Sequence, residues 1–422
     1  MRLLIKYTGV LAIILLSLND NISAQGDQET YLDGYLKLAA ENNPELRSMF
    51  NQYLAALERM PQAKALPDPT AMFNFFASPV ETRVGAQRFG ISLAQAFPWF
   101  GQLKSQENAA AQLAKARYAV FEETKNKLFF DVRGTYYDLY VLLAATHITR
   151  ENIRLLESFR QLANVRLESS TGSAVDLLRA EMDLEELQNQ LHYLEDSRIP
   201  IRARFNELLN TETPVDIVVP DTLATIAFSE NKNILMDSIV AQNPLLKSLE
   251  YEMLSMDAEI DVAQKMGLPS FSLGIAYTNV SPRSDMTMPD NGKDALIFPQ
   301  VGVRIPLYRN KYQSMLKEKE ILKTSILNRK ENKENELATT LESIWRDYSN
   351  AVRRVALYQR LIRLANQSLD ILVSQYSTAG SAFEEILRMD RQLLRYELEL
   401  EKARADQNTF VAHINYLTGK QL

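Results

Sequence analysis

Two long stretches of the chain carry hydrophobic residues at the spacing of an α-helix. The longer one, residues 309–379, contains neither proline nor glycine. Its hydrophobic positions alternate at intervals of four and three, a heptad pattern typical of a long helix that packs along one side. They are Leu337, Leu341, Ile344, Tyr348, Ala351, Val355, Tyr358, Ile362, Ala365, Leu369, Leu372 and Tyr376. At about 1.5 Å per residue, the predicted helix is on the order of 100 Å long.

The first half of the chain contains a similar but less regular stretch, residues 101–168. It has no proline and a single internal glycine, Gly134. Four polar residues interrupt its hydrophobic positions, so this helix is expected to face neighbours on more than one side. The interruptions are Thr135, Thr146, Thr149 and Arg160.

Both long helices are predicted to end at turns of small residues, around Gly172 and Gly380, because glycine is favoured after a helix C-terminus. Further helical segments follow at about 175–209 and 382–418, and the first of them is expected to bend at Pro200. Each half of the chain is therefore predicted to form a long antiparallel helical hairpin.

A period of two residues, typical of β-strands, precedes each hairpin. Large hydrophobic residues alternate there with small or polar ones, and they are Phe89, Ile91, Leu93, Phe271, Leu273, Ile275, Tyr277, Val301, Val303 and Ile305. The strand pairs are placed at about 70–97 and 270–307, with outer loops near 79–82 and 281–295. This alternation is typical of barrel strands with lipid outside and water inside, but a half-buried sheet in a soluble domain would also produce it.

Four strands cannot close a barrel, and they cannot leave their edges unpaired in lipid. A membrane location would therefore require several chains to contribute strands to one barrel.

The two halves of the chain repeat each other. Asn43-Pro44 returns 200 positions later as Asn243-Pro244, and the order of strands, hairpin and small-residue turn is kept. Such a period makes each half one structural unit. The predicted units are a first repeat over 25–210, a linker over 211–230 and a second repeat over 231–422.

Residues 1–24 are predicted to be a cleaved signal peptide. Arg2 and Lys6 precede a hydrophobic run that is too short to span a bilayer, and Ser23-Ala24 supply small residues for cleavage. The chain has no cysteine, which excludes a disulfide framework, and its formal net charge of −6 makes nucleic acid an improbable partner.

The order of these features resembles the TolC-like outer-membrane efflux channel family, the outer membrane factors of tripartite efflux systems. The resemblance covers the mature chain. It rests on several short segments in the same order: residues 42–46, 65–69 and 97–101, the glycine turns at 172 and 380, and Leu208-Leu209-Asn210.

The resemblance implies a mainly helical protomer with a transmembrane β part. Three copies would form a homotrimer, whose twelve strands close one barrel in the outer membrane of a Gram-negative bacterium. The helical hairpins would continue this barrel through the periplasm. A periplasmic adaptor, or membrane fusion protein, and an inner-membrane transporter would dock at the hairpin tips, which fall on Gly172, Ser173, Gly380 and Ser381.

Members of this family close the periplasmic entrance with acidic and tyrosine side chains. By resemblance, these roles fall on Asp176, Tyr376, Glu384 and Glu385. The chain departs from the family pattern in two places, since Ala382 stands where an arginine is expected and Arg388 where a second acid is expected. The helix dipole offers another interpretation of these acids, because it favours Asp and Glu just after a helix start.

The other candidate chemistry is sparse, so no enzyme activity, cofactor or metal is predicted. His147, His192 and His413 are too far apart in sequence to form a ligand motif, and Met286 and Met288 are a weak basis for a copper site. A periplasmic coiled-coil scaffold is the alternative to an exit duct, although it would not require the two amphipathic strand pairs. The cargo remains open between drugs, metal ions and secreted peptides.

Overall fold

The structure is a computed structural model that describes residues 28–420 apart from 229, 286, 288 and 380–382. The predicted signal peptide therefore lies outside the described residues. So do the tip residues Gly380 and Ser381 and the two methionines of the long loop.

The described chain is mainly helical and contains one four-stranded sheet, which confirms the predicted fold class. The first half contains α1 (Gln28–Asn42), α2 (Pro44–Leu57), α3 (Arg59–Lys64), β1 (Thr70–Thr82), β2 (Gly85–Phe97), α4 (Gln102–Glu168) and α5 (Ala174–Leu209). The second half contains α6 (Lys232–Gln242), α7 (Pro244–Met266), β3 (Ser270–Ser281), β4 (Ala295–Arg304), α8 (Arg309–Ala379) and α9 (Phe383–Thr418).

The two long helices α4 and α8 have 67 and 71 residues and are the longest elements among the described residues. Each is therefore on the order of 100 Å long, as predicted. Near the strands, α7 packs against both of them, and farther from the strands α9 does the same. The return helix α5 packs mainly on α4 and continues through Pro200 without a break.

The heptad positions of α8 face the protein interior for much of their length. Eight of the twelve are buried, and Val355, Tyr358, Ile362 and Leu372 are half-buried. The heptad positions Ala365, Leu369 and Tyr376 of α8 join α4, α5 and α9 in one hydrophobic core close to the hairpin tips. A separate core holds α1, α2, α4 and α5 together through Tyr35, Phe121, Tyr136 and Phe205.

The repeated Asn-Pro pair performs the same structural task in both halves. The Oδ1 atom of Asn43 accepts a hydrogen bond from the Leu46 amide, and Asn243 accepts from the amides of Leu245 and Leu246. Each asparagine caps a helix whose first residue is the proline. Each asparagine also donates a hydrogen bond from its Nδ2 to a carbonyl at the end of the second hairpin helix of its own half, which is α5 or α9. The acceptors are the carbonyls of Leu208 at 3.5 Å and Leu417 at 3.0 Å.

The segment between the two halves has no helix or strand over residues 211–228, and side chains from the long helices hold it in place. The hydroxyls of Tyr35, Tyr140 and Tyr348 accept hydrogen bonds from the amides of residues 218, 223 and 228, at 3.0, 3.0 and 2.9 Å. Asn408 accepts from the amide of residue 226 at 2.9 Å. Because an unpaired buried amide is costly, these bonds fix the path of the segment across four helices.

The sheet has the strand order β1-β2-β3-β4, and all neighbouring strands are antiparallel. Two predicted boundaries were wrong. β1 continues to Thr82 instead of ending near residue 77, because it pairs with β2 beyond an irregularity between Phe75 and Val80. β4 begins at Ala295, where the predicted loop ends, but it ends at Arg304 instead of at 307, where the alternation of large apolar residues ends. An irregularity near Gly274 interrupts that alternation.

No helix among the described residues is both long and apolar enough to cross a membrane.

Candidate functional site

The two faces of the sheet differ in side-chain size. Phe73, Ile91, Tyr277 and Leu296 are cross-strand neighbours in one row that crosses all four strands. The adjacent row lies on the opposite face and contains only small or polar residues: Asn74, Gly90, Thr278 and Ala295. The sheet therefore has one continuous apolar face and one face on which small or polar side chains predominate, although Met72 and Ile297 add two large apolar side chains to it.

Most residues predicted to face lipid are exposed on the protomer surface, namely Ile91, Leu93, Phe271, Leu273, Ile275, Val301, Val303 and Ile305. Phe89 and Tyr277 differ because they are half-buried and pack against each other, with ring centroids 6.3 Å apart. Within the described residues, β1 pairs only with β2 and β4 only with β3. The sheet thus exposes both an apolar face and two edges, a combination that promotes further pairing.

The turn between α4 and α5 forms one tip of the molecule and contains Gly172 and Ser173. The amides of Thr171 and Gly172 both donate to the carbonyl of Arg166 at 2.9 Å. The left-handed backbone conformation, for which glycine is favoured after a helix C-terminus, occurs at Ser170, with φ of 58°. Gly172 is required for a different reason, since a Cβ atom there would lie 2.9 Å from the Cβ of Arg166.

Asp176 and Tyr376, two predicted gate residues, meet in the structure. The Tyr376 hydroxyl donates to Asp176 Oδ2 at 3.4 Å, and the Arg166 guanidinium lies 4.5 Å from the centre of the tyrosine ring. Tyr376 is buried and packs against Phe383 at 5.1 Å. Burial and the Asp176 carboxylate both raise the pKa of Tyr376. These contacts connect the tip of the first hairpin to the second.

The two glutamates at the start of α9 have different neighbours. Glu384 pairs with Arg179 of α5 at 3.2 Å and with Arg391 of its own helix at 3.3 Å. Glu385 pairs with Arg388 one turn later in the same helix. Glu384 therefore connects the two hairpins, and Glu385 does not. Arg388, which departs from the family pattern, thus neutralises Glu385, three positions earlier in the chain.

One buried acid near the tips was not singled out from the sequence. Asp390 is 2% exposed, and its Oδ1 accepts a hydrogen bond of 3.0 Å from Asn152 of α4. Loss of solvent on burial raises the pKa of Asp390 to about 7. A signal was present in the sequence, because this acid interrupts the hydrophobic positions Phe383, Ile386 and Leu393 of α9. The roles of Arg166 and Arg179 depend on tertiary contacts and had no such signal.

The three histidines do not converge. His147 and His192 are exposed and lie near glutamates of their own helices. His413 packs against Phe130 in a tilted arrangement with ring centroids 4.6 Å apart, and burial lowers the pKa of His413. No group of three or more potential metal-binding side chains occurs in the part of the chain that the structure describes.

The sequence of the first half matches a protein-family model. Residues 35–211 match the model described as "Outer membrane efflux protein". Among characterised proteins, the chain is 22% identical over 257 residues to "Toxin and drug export protein A" of Aggregatibacter actinomycetemcomitans. It is 23% identical over 275 residues to "Solvent efflux pump outer membrane protein SrpC" of Pseudomonas putida. The two matches cover 58% and 64% of this chain but only 56% and 58% of the relatives.

Solved structures share the whole fold. The structure of CusC superposes with a TM-score of 0.78 at 17% identity, covering 96% of both chains. The outer-membrane channel OprN gives 0.76 at 17% identity, covering 93% of this chain and 90% of the other. VceC of Vibrio cholerae gives 0.74 at 13% identity, covering 92% and 96%. The family match over residues 35–211 and this shared architecture confirm the resemblance to outer membrane efflux proteins that the sequence indicates.

Proposed function

We propose that the protein is the outer-membrane exit duct of a tripartite efflux or type I secretion system in a Gram-negative bacterium. One observation carries this proposal: a four-stranded sheet exposes both an apolar face and two unpaired edges, and two long helical hairpins continue from it. The apolar face would contact lipid, and the opposite face, on which small or polar side chains predominate, would line water. The helical part would extend into the periplasm.

A homotrimer would satisfy the two exposed edges, because β4 of one copy could pair with β1 of the next until the barrel closes. The helices carry matching surfaces. α5 exposes Val175, Leu178, Met182 and Tyr193, and α8 exposes Leu357, Leu364 and Ile371 seven positions apart. In this part of the molecule α5 and α8 are the outermost helices of each copy. The exposed apolar residues of α5 in one copy would therefore pack against those of α8 in the next copy.

The hairpin tips would form a periplasmic entrance that is closed in this conformation. Tyr376, Asp176 and Glu384 join the second hairpin to the first, so separating these contacts would let the second hairpin move outward. Glu385 would lie at the same entrance, where its ion pair with Arg388 offsets its charge. The tip residues Gly172 and Ser173, together with Gly380 and Ser381 outside the described residues, would contact the periplasmic adaptor.

Transport through the duct would be passive, with an inner-membrane transporter supplying the energy. The duct itself would have no catalytic activity and no cofactor. The names of the relatives include toxin, drug and solvent export, so a wide range of small molecules or peptides is compatible with the proposal. The transporter and adaptor that accompany the chain would select the cargo.

Cell fractionation tests the proposal. An exit duct should be recovered in the outer membrane as a trimer that resists dissociation by detergent at moderate temperature. A soluble periplasmic monomer would contradict it and would favour the coiled-coil scaffold. Leu93→Asp, on the apolar face, should prevent membrane recovery, whereas Ser92→Asp on the opposite face should not.

A further inference from the structure

Asp390 occupies an unusual position for an ionisable side chain. It lies on the buried side of α9, next to the core that joins α4, α5, α8 and α9 near the hairpin tips. Its one described hydrogen bond comes from Asn152 Nδ2 at 3.0 Å. A carboxylate buried to this extent normally requires a cation or several donors, so the ionised form is poorly accommodated here.

The helix facing Asp390 contains one buried acceptor that has no donor and one buried hydroxyl that has no partner. Asn152 Oδ1 and the hydroxyl of Thr149 are both buried without a hydrogen-bond partner. Thr149 is 0% exposed, and Thr149, Asn152 and Leu156 lie on the same buried face of α4. A neutral carboxylic acid has one O–H donor, which a carboxylate lacks. The protonated form of Asp390 can therefore supply a donor to the unused Oδ1 of Asn152, the residue whose Nδ2 already contacts it.

The surrounding charges also favour the neutral form. Asp183 of α5 and Glu397 of α9 are acids that oppose ionisation, and Arg391 of α9 favours it. Arg391 is already shared between Asp183 at 3.7 Å and Glu384 at 3.3 Å. From α4 the facing groups are the uncharged Thr149 and Asn152, and α8 adds apolar side chains to the adjoining core.

We infer that Asp390 is a proton-dependent clasp between α4 and α9, which holds the second hairpin against the first when it is protonated and releases it when it is ionised. This inference rests on the proposed function, because the motion it controls is the opening of the periplasmic entrance. Asp390 lies about two helical turns from Glu384. The Asp390–Asn152 bond and the Glu384–Arg179 ion pair would therefore both hold the same end of α9.

The direction of the pH effect follows from proton linkage. The pKa of Asp390 is about 7 in the packed state, against an ordinary value of 3.8, so the packed state binds more protons between these values. Its stability therefore falls as the pH rises through this window and is constant above it. The population of the open state should be on the order of tenfold or more higher at pH 8 than at pH 5.

Hydrogen exchange tests the clasp without requiring channel activity. The backbone amides of residues 383–394 would be followed at pH 5 and pH 8 in the full-length protein in detergent micelles. Comparison with Asp390→Asn at each pH removes the intrinsic pH dependence of exchange. Asn is neutral and can donate, so the variant should be as protected at pH 8 as the wild type is at pH 5. Asp196→Asn, which neutralises an exposed acid of α5 that is not among the groups around Asp390, is the control and should behave as the wild type.

The inference is overturned if wild-type protection, corrected for intrinsic exchange, is equal at the two pH values. It is also overturned if Asp390→Asn keeps the wild-type difference. The wild-type comparison alone decides the question if the variant does not fold. Channel recordings then separate this inference from the proposed function. Conductance with an unchanged pH response in Asp390→Asn would refute the clasp alone, and the absence of conductance in all variants would refute the duct.

Discussion

The hydroxyl of Tyr376 donates to the carboxylate of Asp176, which lies 200 positions earlier in the chain. The same spacing separates Asn43-Pro44 from Asn243-Pro244. The bond therefore joins the second repeat to the first at the tip of the molecule, where the Arg166 guanidinium also lies over the tyrosine ring. In the proposed duct, this contact would keep the entrance closed.

Tyr376→Phe should favour opening. The variant loses the hydroxyl that contacts Asp176 but keeps the ring against Phe383. A hydrogen bond of this kind contributes about 0.5–1.5 kcal/mol, so the open population should rise several-fold. Single-channel recordings in planar bilayers would measure it. Tyr193→Phe, at an exposed position of α5, is the control, and equal behaviour of the two variants would contradict the assignment.

The two adjacent glutamates of α9 should differ in their effect on the channel. Glu384→Gln removes the ion pair with Arg179 of the other hairpin, whereas Glu385→Gln removes only a contact within α9. Because the side chains of the Glu384 pair are 46% and 43% exposed, the effect should be at most about 1 kcal/mol. Raising the salt concentration should diminish it. A larger conductance change for Glu385→Gln than for Glu384→Gln would contradict this distinction.

The asparagine caps allow the two repeats to be compared directly. Asn243→Ala should destabilise the protein more than Asn43→Ala, because Asn243 is 2% exposed and makes the shorter bond to its return helix. Loss of a cap costs about 0.5–2 kcal/mol, and the buried Leu417 carbonyl adds to it. Thermal unfolding followed by circular dichroism would rank the two variants. The reverse order would show that the cap in the first repeat has additional partners.

The bond between the linker and α4 should be important for stability. The Tyr140 hydroxyl accepts from the Leu223 amide and donates to Glu401, so Tyr140→Phe leaves a buried amide and a carboxylate without this partner. The expected cost is about 1–3 kcal/mol, measurable as a lower midpoint of unfolding. Tyr31→Phe, at an exposed position of α1, should have little effect. An unchanged midpoint for Tyr140→Phe would contradict the structural role of the linker bonds.

Much of the architecture follows from periodicity, because hydrophobic spacing directly reports which face of an element is covered. The seam of α8 and the apolar face of the sheet were predictable on this basis. The details depend on contacts between distant residues. A sequence period cannot reveal that Ser170 takes the left-handed conformation, or that a Cβ at Gly172 would collide with Arg166.

The candidate site was predictable only in part. Asp176, Tyr376 and Glu384 were identified by resemblance, but their bonding partners were not, because Arg179 and Arg391 occur among many charged helix residues. Asp390 could have been found as the acid within an apolar pattern. Its significance arises from the unpaired Oδ1 of Asn152, the α4 residue that contacts it only in the folded structure.

As an exit duct, copies of this chain would form a conducting path through a lipid bilayer. Purified protein added to a planar bilayer should produce stepwise increases in ionic current, and Tyr376→Phe should give larger or longer-lived steps than the wild type. If neither protein produces current steps although both are recovered from the outer membrane as folded trimers, the account of the protein as an exit duct is contradicted.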